Sequence, residues 1–152
     1  MKIIFIFLSF LLLTCKPDSR SKEIKIIEKF LQDYYQIMSD RNWEEYKEFF
    51  WEEATLCTIW SPDGTTESEV DVFTIQDFLD KTEEGPNSQP IFEEKMEQCD
   101  VVVKGNLASA WVRYTAKFGT QENLMEWSGT DLFSFMQFKN RWKIVNLSYA
   151  AE

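Results

Sequence analysis

Four aromatic and charged residues near the end of the chain are the strongest candidates for a binding site. Trp111 and Arg113 stand two residues apart in one β-prone segment, and Trp127 and Asp131 stand four apart in the next. Side chains an even number of residues apart share one face of a strand. If the turn between the segments is centred on Gln121, Trp111 pairs with Asp131 and all four side chains share that face. A face of this composition predicts the lining of a ligand pocket.

The same residues allow two other interpretations. Arg113 and Asp131 could form an ion pair on an exposed outer face, since a register error of one residue reverses the two faces. Asp131 could instead be a general base, with Tyr34 or Arg113 as the partner of an oxyanion. That role needs a carboxyl whose pKa is raised towards neutrality, and a neighbouring arginine lowers it.

The composition argues against several other chemistries. The chain has no histidine, the usual general base and a common zinc ligand. The acidic pairs Glu52-Glu53 and Glu93-Glu94 are expected to be solvated surface, and no calcium-ligand spacing is present. A net charge of −10 repels phosphate backbones, so nucleic acid is not an expected partner. We therefore predict no metal and no other cofactor.

Residues 1–14 are predicted to form a secretion signal. Lys2 supplies a positive start, and residues 3–13 are apolar apart from one serine. A helix of that length is too short to cross a membrane. The apolar run ends at Thr14-Cys15, which resembles a lipobox with Cys15 as the lipid-bearing first residue. An ordinary signal peptide with an incidental cysteine is the alternative.

Residues 15–22 are polar, contain proline and lack an apolar period, so we expect a lipidated tether followed by one domain at 23–152. The expected protein is exported and anchored by its lipid to a bacterial membrane. Lys16 after the cysteine, rather than aspartate, is compatible with the outer membrane or the cell surface.

The body of the chain predicts an α+β domain. Apolar residues recur at steps of three and four over 23–38, which indicates an amphipathic helix. Capping signatures at Asn42 and Thr74 predict two further short helices. Residues 55–60 are β-prone and precede the turn signal Ser61-Pro62-Asp63-Gly64, so a hairpin is expected there. Short linkers between four β-rich runs predict an antiparallel meander over 91–104, 107–118, 124–138 and 142–149.

This element order resembles the nuclear transport factor 2-like (SnoaL-like) superfamily. That resemblance implies a cone-shaped, curved antiparallel sheet wrapped around N-terminal helices, the cystatin-like superfold, with Tyr34 and Trp60 pointing into the cone. The matching segments are, in order, Asn42-Trp43-Glu44-Glu45, Phe49-Phe50, Ser61-Pro62-Asp63-Gly64, Leu107-Ala108-Ser109-Ala110-Trp111, Gly129-Thr130-Asp131-Leu132-Phe133 and Trp142-Lys143-Ile144. The last three are most similar to the putative lumazine-binding subgroup. Trp127 is a departure, because members of that subgroup often carry histidine there.

Two cysteines remain besides Cys15. Export would permit a disulfide between Cys57 and Cys99. The fold that the resemblance implies usually keeps their two strands apart, so two buried free thiols are the favoured alternative.

The expected function is that of a membrane-tethered, non-catalytic binding protein that holds a small, partly apolar ligand in a conical pocket. One alternative is an interaction module of the envelope, which forms a homodimer or docks a partner through its outer sheet face. Another is an isomerase, dehydratase or cyclase. The superfamily includes both enzymes and pure binders, so the fold alone does not decide between them.

Overall fold

The computed structural model describes residues 19–60 and 69–152, and for residues 19 and 60 the backbone only. Within these residues the elements follow the predicted order. The helices are α1 (Ser19–Ser39), α2 (Trp43–Lys47) and α3 (Ile75–Asp80). The strands are β1 (Phe50–Trp60), β2 (Glu69–Thr74), β3 (Ile91–Lys104), β4 (Leu107–Gly119), β5 (Leu124–Phe138) and β6 (Arg141–Ala151). The predicted secretion signal, Cys15 and the turn at Ser61-Pro62-Asp63-Gly64 lie outside the described residues.

Both capping predictions are confirmed. The Asn42 side chain accepts a hydrogen bond from the Glu45 backbone N–H at 3.4 Å, and α2 begins there. Thr74 and Asp77 form a reciprocal capping box at the start of α3. α1 starts at Ser19, so residues 19–22 of the predicted tether are helical. These four residues include no glycine or proline that would stop a helix.

The sheet has the strand order β2-β1-β6-β5-β4-β3. β1 and β2 pair antiparallel, as do the successive strands from β3 to β6, which confirms the predicted hairpin and meander. β1 and β6 lie parallel, and the other strand pairs of the described sheet are antiparallel. Parallel neighbours need a long crossover connection, and here the chain from β2 to β5 supplies it.

Breaks in register bend the sheet. They fall in β3 between Met96 and Gln98, in β1 between Phe50 and Thr55, and where β5 pairs with β6 between Ser134 and Phe135. Such bulges curve a strand and increase its twist. We call the face that packs against α1 the inner face and the opposite one the outer face. The inner face carries most of the sheet's buried core: Leu56, Val103, Ala108, Ala110, Val112, Tyr114, Ala116, Phe133, Phe135, Ile144 and Leu147.

The described residues hold two cysteines, Cys57 and Cys99, and both are free and half-buried. The disulfide is therefore not formed. No helix in the described ranges is long and apolar enough to cross a membrane.

Candidate functional site

The pairing of β4 with β5 decides which side chains face the core. Trp111 pairs with Leu132, and Arg113 pairs with Thr130. The predicted pairing of Trp111 with Asp131 was therefore wrong by one residue. Asp131 pairs instead with Val112, one of the buried residues of β4.

The turn between the two strands explains the difference. Thr120 and Asn123 exchange backbone hydrogen bonds of 3.2 and 3.3 Å, which leaves Gln121 and Glu122 at the tip. A two-residue turn has its centre between two residues rather than on one. Every cross-strand pair of β4 and β5 therefore differs by one residue from the predicted pair. Residues of the two strands that were predicted to share a face lie on opposite faces.

The shift separates the predicted site residues. Trp127 and Asp131 lie on the inner face, on the same side of the sheet as Tyr34 of α1. Trp111 and Arg113 lie exposed on the outer face. Trp111 is 54% exposed, and Asp131 is 4% exposed. The shared pocket face and the ion pair between Arg113 and Asp131 were thus both wrong. The Trp60 side chain lies outside the described residues, so its predicted place in the cone stays a prediction.

A pocket of about 280 Å³ opens between the inner face and the helices. It contains three of the predicted residues, Tyr34, Trp127 and Asp131. The polar or amphipathic side chains that line it are Tyr34, Tyr46, Thr58, Glu94, Tyr114, Trp127, Asp131 and Tyr149. The apolar ones are Met38, Leu56, Ile59, Phe78, Pro86, Phe92, Leu147 and Ala151.

Small residues in the sheet make room for the large rings. Gly129 is the cross-strand partner of Tyr114, and a Cβ atom on Gly129 would lie 2.4 Å from the Tyr114 phenol oxygen. Ala116 is likewise the cross-strand partner of Trp127.

Asp131 is a buried carboxyl of the pocket. The Tyr35 hydroxyl donates a hydrogen bond of 2.5 Å to its Oδ2 atom. Burial raises the pKa of Asp131 to about 7, although the hydrogen bond from Tyr35 acts in the opposite direction. A carboxyl in this range exchanges its proton near neutral pH. Tyr35 was not among the predicted site residues.

Glu94 is the second carboxyl of the pocket, and the prediction that it is solvated surface was wrong. Burial, followed by the nearby charge of Asp131, raises the pKa of Glu94 to about 8. The Ser39 hydroxyl bonds to both the backbone N–H and C=O of Glu94, which ties β3 to the end of α1. The alternation of Phe92, Glu94 and Met96 along the strand was a signal for this inward position.

The other ionisable side chains that line the pocket are phenols. The hydroxyls of Tyr34 and Tyr46 lie 2.8 Å apart and form a buried hydrogen bond. Burial raises the pKa of both, as it does for Tyr114 and Tyr149, so all four stay neutral at physiological pH. Tyr34 therefore faces the pocket as a neutral hydrogen-bonding group.

Among the described residues, no lysine or arginine lines the pocket. Arg41, at the end of α1, donates instead to the backbone carbonyls of Gln89 and Pro90. Arg113 on the outer face cannot stabilise an oxyanion in this pocket. No group of histidine, cysteine or acidic side chains in the described part of the chain is arranged to hold a metal ion.

A curved six-stranded sheet with helices and a pocket on its inner face defines the nuclear transport factor 2-like, cystatin-like class of proteins. Within this class the chain belongs to the putative lumazine-binding family, whose model matches residues 22–150. No curated protein sequence matches the chain significantly.

Several solved structures share the fold at low sequence identity. A nuclear transport factor 2-like protein of unknown function from Shewanella baltica is 18% identical, with a TM-score of 0.62 over 87% of this chain and 95% of that one. A putative scytalone dehydratase from Novosphingobium aromaticivorans is 16% identical, with a TM-score of 0.68 over 90% and 89%. The association domain of CaMKII from C. elegans is 13% identical, with a TM-score of 0.65 over 88% and 98%.

Proposed function

We propose that this protein binds a small, partly apolar molecule in the inner-face pocket. The observation that carries the proposal is a pocket of about 280 Å³ lined by aromatic rings and two carboxyls. Ligand pockets commonly range from about 300 to 1,000 Å³ and combine apolar walls with a few polar groups. The volume supports a ligand at the small end of that range.

The family description supports lumazine as the first ligand to test. A planar heterocycle would contact the Trp127 ring and accept or donate hydrogen bonds at Glu94, Asp131 and the phenols. Tyr34 and Tyr46 already satisfy one another, so they contribute shape more than free hydrogen-bonding capacity.

Two tryptophans on opposite faces of one hairpin provide a matched test. Calorimetric titration of lumazine and of other small amphipathic compounds should show binding that Trp127→Ala weakens by roughly ten- to hundredfold, the loss expected for one desolvated aromatic contact. Trp111→Ala removes an equal ring from the outer face and should leave the affinity unchanged. If the two variants weaken binding equally, or if no compound binds the folded protein, the proposal is wrong.

Membrane attachment is a separate part of the proposal. A lipid on Cys15 would hold the domain at a bacterial membrane, and it is supported by the apolar run that ends at Thr14-Cys15. Radiolabelled fatty acid should be incorporated into the full chain and into Cys57→Ser, but not into Cys15→Ser. An unlabelled wild-type protein in the soluble fraction would contradict the tether.

Self-association is a second candidate function, and the outer face carries the observation that favours it. Trp111 pairs with Leu132, and Leu107 pairs with Met136, which places apolar side chains together on the exposed side of β4 and β5. Exposed apolar patches often mark protein contacts. Sedimentation equilibrium should show a dimer that Trp111→Ser dissociates, and a monomeric wild-type protein would exclude this candidate.

A further inference from the structure

The charge of the pocket is unbalanced. Glu94 and Asp131 both line it, and no basic side chain of residues 19–60 and 69–152 does. We infer that the ligand of this pocket is a small organic cation, with its positive charge held near Glu94 and Asp131 and its apolar part against the aromatic rings. This inference rests on the proposed function and names the class of ligand.

Both carboxyls retain unused acceptor capacity. Asp131 receives one hydrogen bond, from Tyr35, on one of its two oxygens. Within residues 19–60 and 69–152, no hydrogen bond or ion pair engages the Glu94 carboxyl, although its backbone is held by Ser39. No fully buried side-chain oxygen of the described residues lacks a hydrogen-bond partner, so the unused oxygens of both carboxyls are reached from the pocket. A ligand in the pocket can therefore contact them, and its positive charge offsets the cost of ionising a carboxyl there.

The surrounding rings suit the same charge. Trp127, Tyr114 and Tyr149 line the pocket, and the faces of such rings attract cations within about 6 Å. The Phe92 ring also lines it, but the Arg41 guanidinium already lies over that ring, 6.0 Å from its centroid. An anionic ligand would meet two carboxyls and no positive side chain, so the pocket disfavours it. The ionisable groups that face the carboxyls are Tyr34 and Tyr35 from α1, Tyr46 from α2, Tyr114 from β4 and Tyr149 from β6. None of them supplies a positive charge.

A neutral ligand such as lumazine is the competing outcome, because protonated carboxyls can donate hydrogen bonds. The two cases differ in their dependence on pH. A cation binds better as the carboxyls ionise, whereas a neutral acceptor binds better while they keep their protons. The phenols already provide neutral donors, so a neutral ligand would not require two acids in the same pocket.

The test uses a permanently charged probe, benzyltrimethylammonium, and its neutral carbon isostere, neopentylbenzene. Their shapes match, so a difference in affinity reports the charge. Affinities are measured on the folded protein through the indole NMR resonance of Trp127. At pH 9 the cation should bind at least about tenfold more tightly than the isostere. From pH 6 to pH 9 its affinity should rise about tenfold or more, since the pKa values of Asp131 and Glu94 are about 7 and 8.

Two neighbouring glutamates supply the matched variants. Glu94→Gln should weaken binding of the cation at pH 9 by about tenfold and leave the isostere unchanged. Glu93→Gln removes an equal charge from the exposed side of the same strand and should change neither affinity, which controls for the acidic surface. If Glu94→Gln does not fold, Asp131→Asn gives the same comparison.

Equal affinities for the two probes, or an affinity for the cation that falls as pH rises, would overturn the inference. The proposed function would still stand in both cases, because a small molecule would be bound in the pocket. Failure of both probes to bind would also overturn the inference. The proposed function fails separately, when the comparison of Trp127→Ala with Trp111→Ala shows no difference for any ligand.

Discussion

The two faces of the β4–β5 hairpin carry similar residue types but differ in their exposure to solvent. Each face has one candidate tryptophan and one candidate charged residue: Trp127 and Asp131 are inside, and Trp111 and Arg113 are outside. Asp131 is buried and Trp127 is partly buried, whereas both outer residues are exposed. Burial raises the pKa of the Asp131 carboxyl towards neutrality. The comparison shows that the burial of these residues depends on the face of the hairpin on which they lie.

The largest expected difference between the faces is in stability. Phe133 is fully buried on the inner face, and its neighbour Leu132 is half-buried on the outer face. Phe133→Ala should lower the free energy of unfolding by about 3 to 5 kcal/mol, because it leaves a cavity in the core. Leu132→Ala should cost less than about 1 kcal/mol. Urea denaturation measures both, and similar losses would show that the two faces are not distinct.

The two pocket carboxyls should also make stability depend on pH. Their pKa values in the folded protein, about 7 for Asp131 and about 8 for Glu94, lie above the ordinary values of 3.8 and 4.5. The native state thus keeps protons that the unfolded chain releases, so stability falls as pH rises from about 4 to about 8. Each carboxyl contributes a slope of up to about 1.4 kcal/mol per pH unit in that interval.

Variants identify the source of this slope. Glu94→Gln and Asp131→Asn should each flatten it and should be relatively more stable than the wild-type protein at pH 9. Glu93→Gln, on the exposed side of β3, should keep the full slope. Urea midpoints at a series of pH values provide the measurement, and an unchanged slope in both pocket variants would refute the assignment.

A smaller effect is expected where the inner face is most crowded. Gly129→Ala would place a Cβ atom 2.4 Å from the Tyr114 oxygen and 2.6 Å from the Ala150 carbonyl oxygen. Overpacking of this kind costs about 1 to 3 kcal/mol, and displacement of Tyr114 should also weaken ligand binding. Ser128→Ala, one residue away, should change stability by less than about 0.5 kcal/mol. Equal thermal shifts for the two variants would mean that the close approach of Tyr114 is not required.

The smallest effect is expected on the outer face at Arg113. Arg113→Met removes an exposed charge and nearly keeps the side-chain volume, so the free energy of unfolding should change by less than about 0.5 kcal/mol. Affinity for benzyltrimethylammonium should also stay the same, apart from a weak effect of net charge that added salt removes. A large loss of affinity at high salt would place Arg113 in the site after all.

Local patterns along the chain were sufficient to predict the elements. Asn42 and Thr74 each lie three residues before their own capping partner. The predicted runs 91–104 and 124–138 coincide with β3 and β5. Helix periodicity, capping and turn residues depend on a few neighbours in the chain, so they can be recognised in the sequence without knowledge of the fold. Tyr34, Trp127 and Asp131 line the pocket and were among the predicted site residues. Trp111 and Arg113, which were predicted beside them, lie on the outer face.

Tertiary structure decided which of these residues meet. One residue at the tip of the β4–β5 turn changed the register and moved Trp111 and Arg113 out of the site. Glu94 became a pocket residue because β3 turns that side of the strand towards α1, and the parallel pairing of β1 with β6 brought Thr58 and Tyr149 together. Register, strand order and burial depend on contacts between residues far apart in the chain, and no short stretch of sequence contains them.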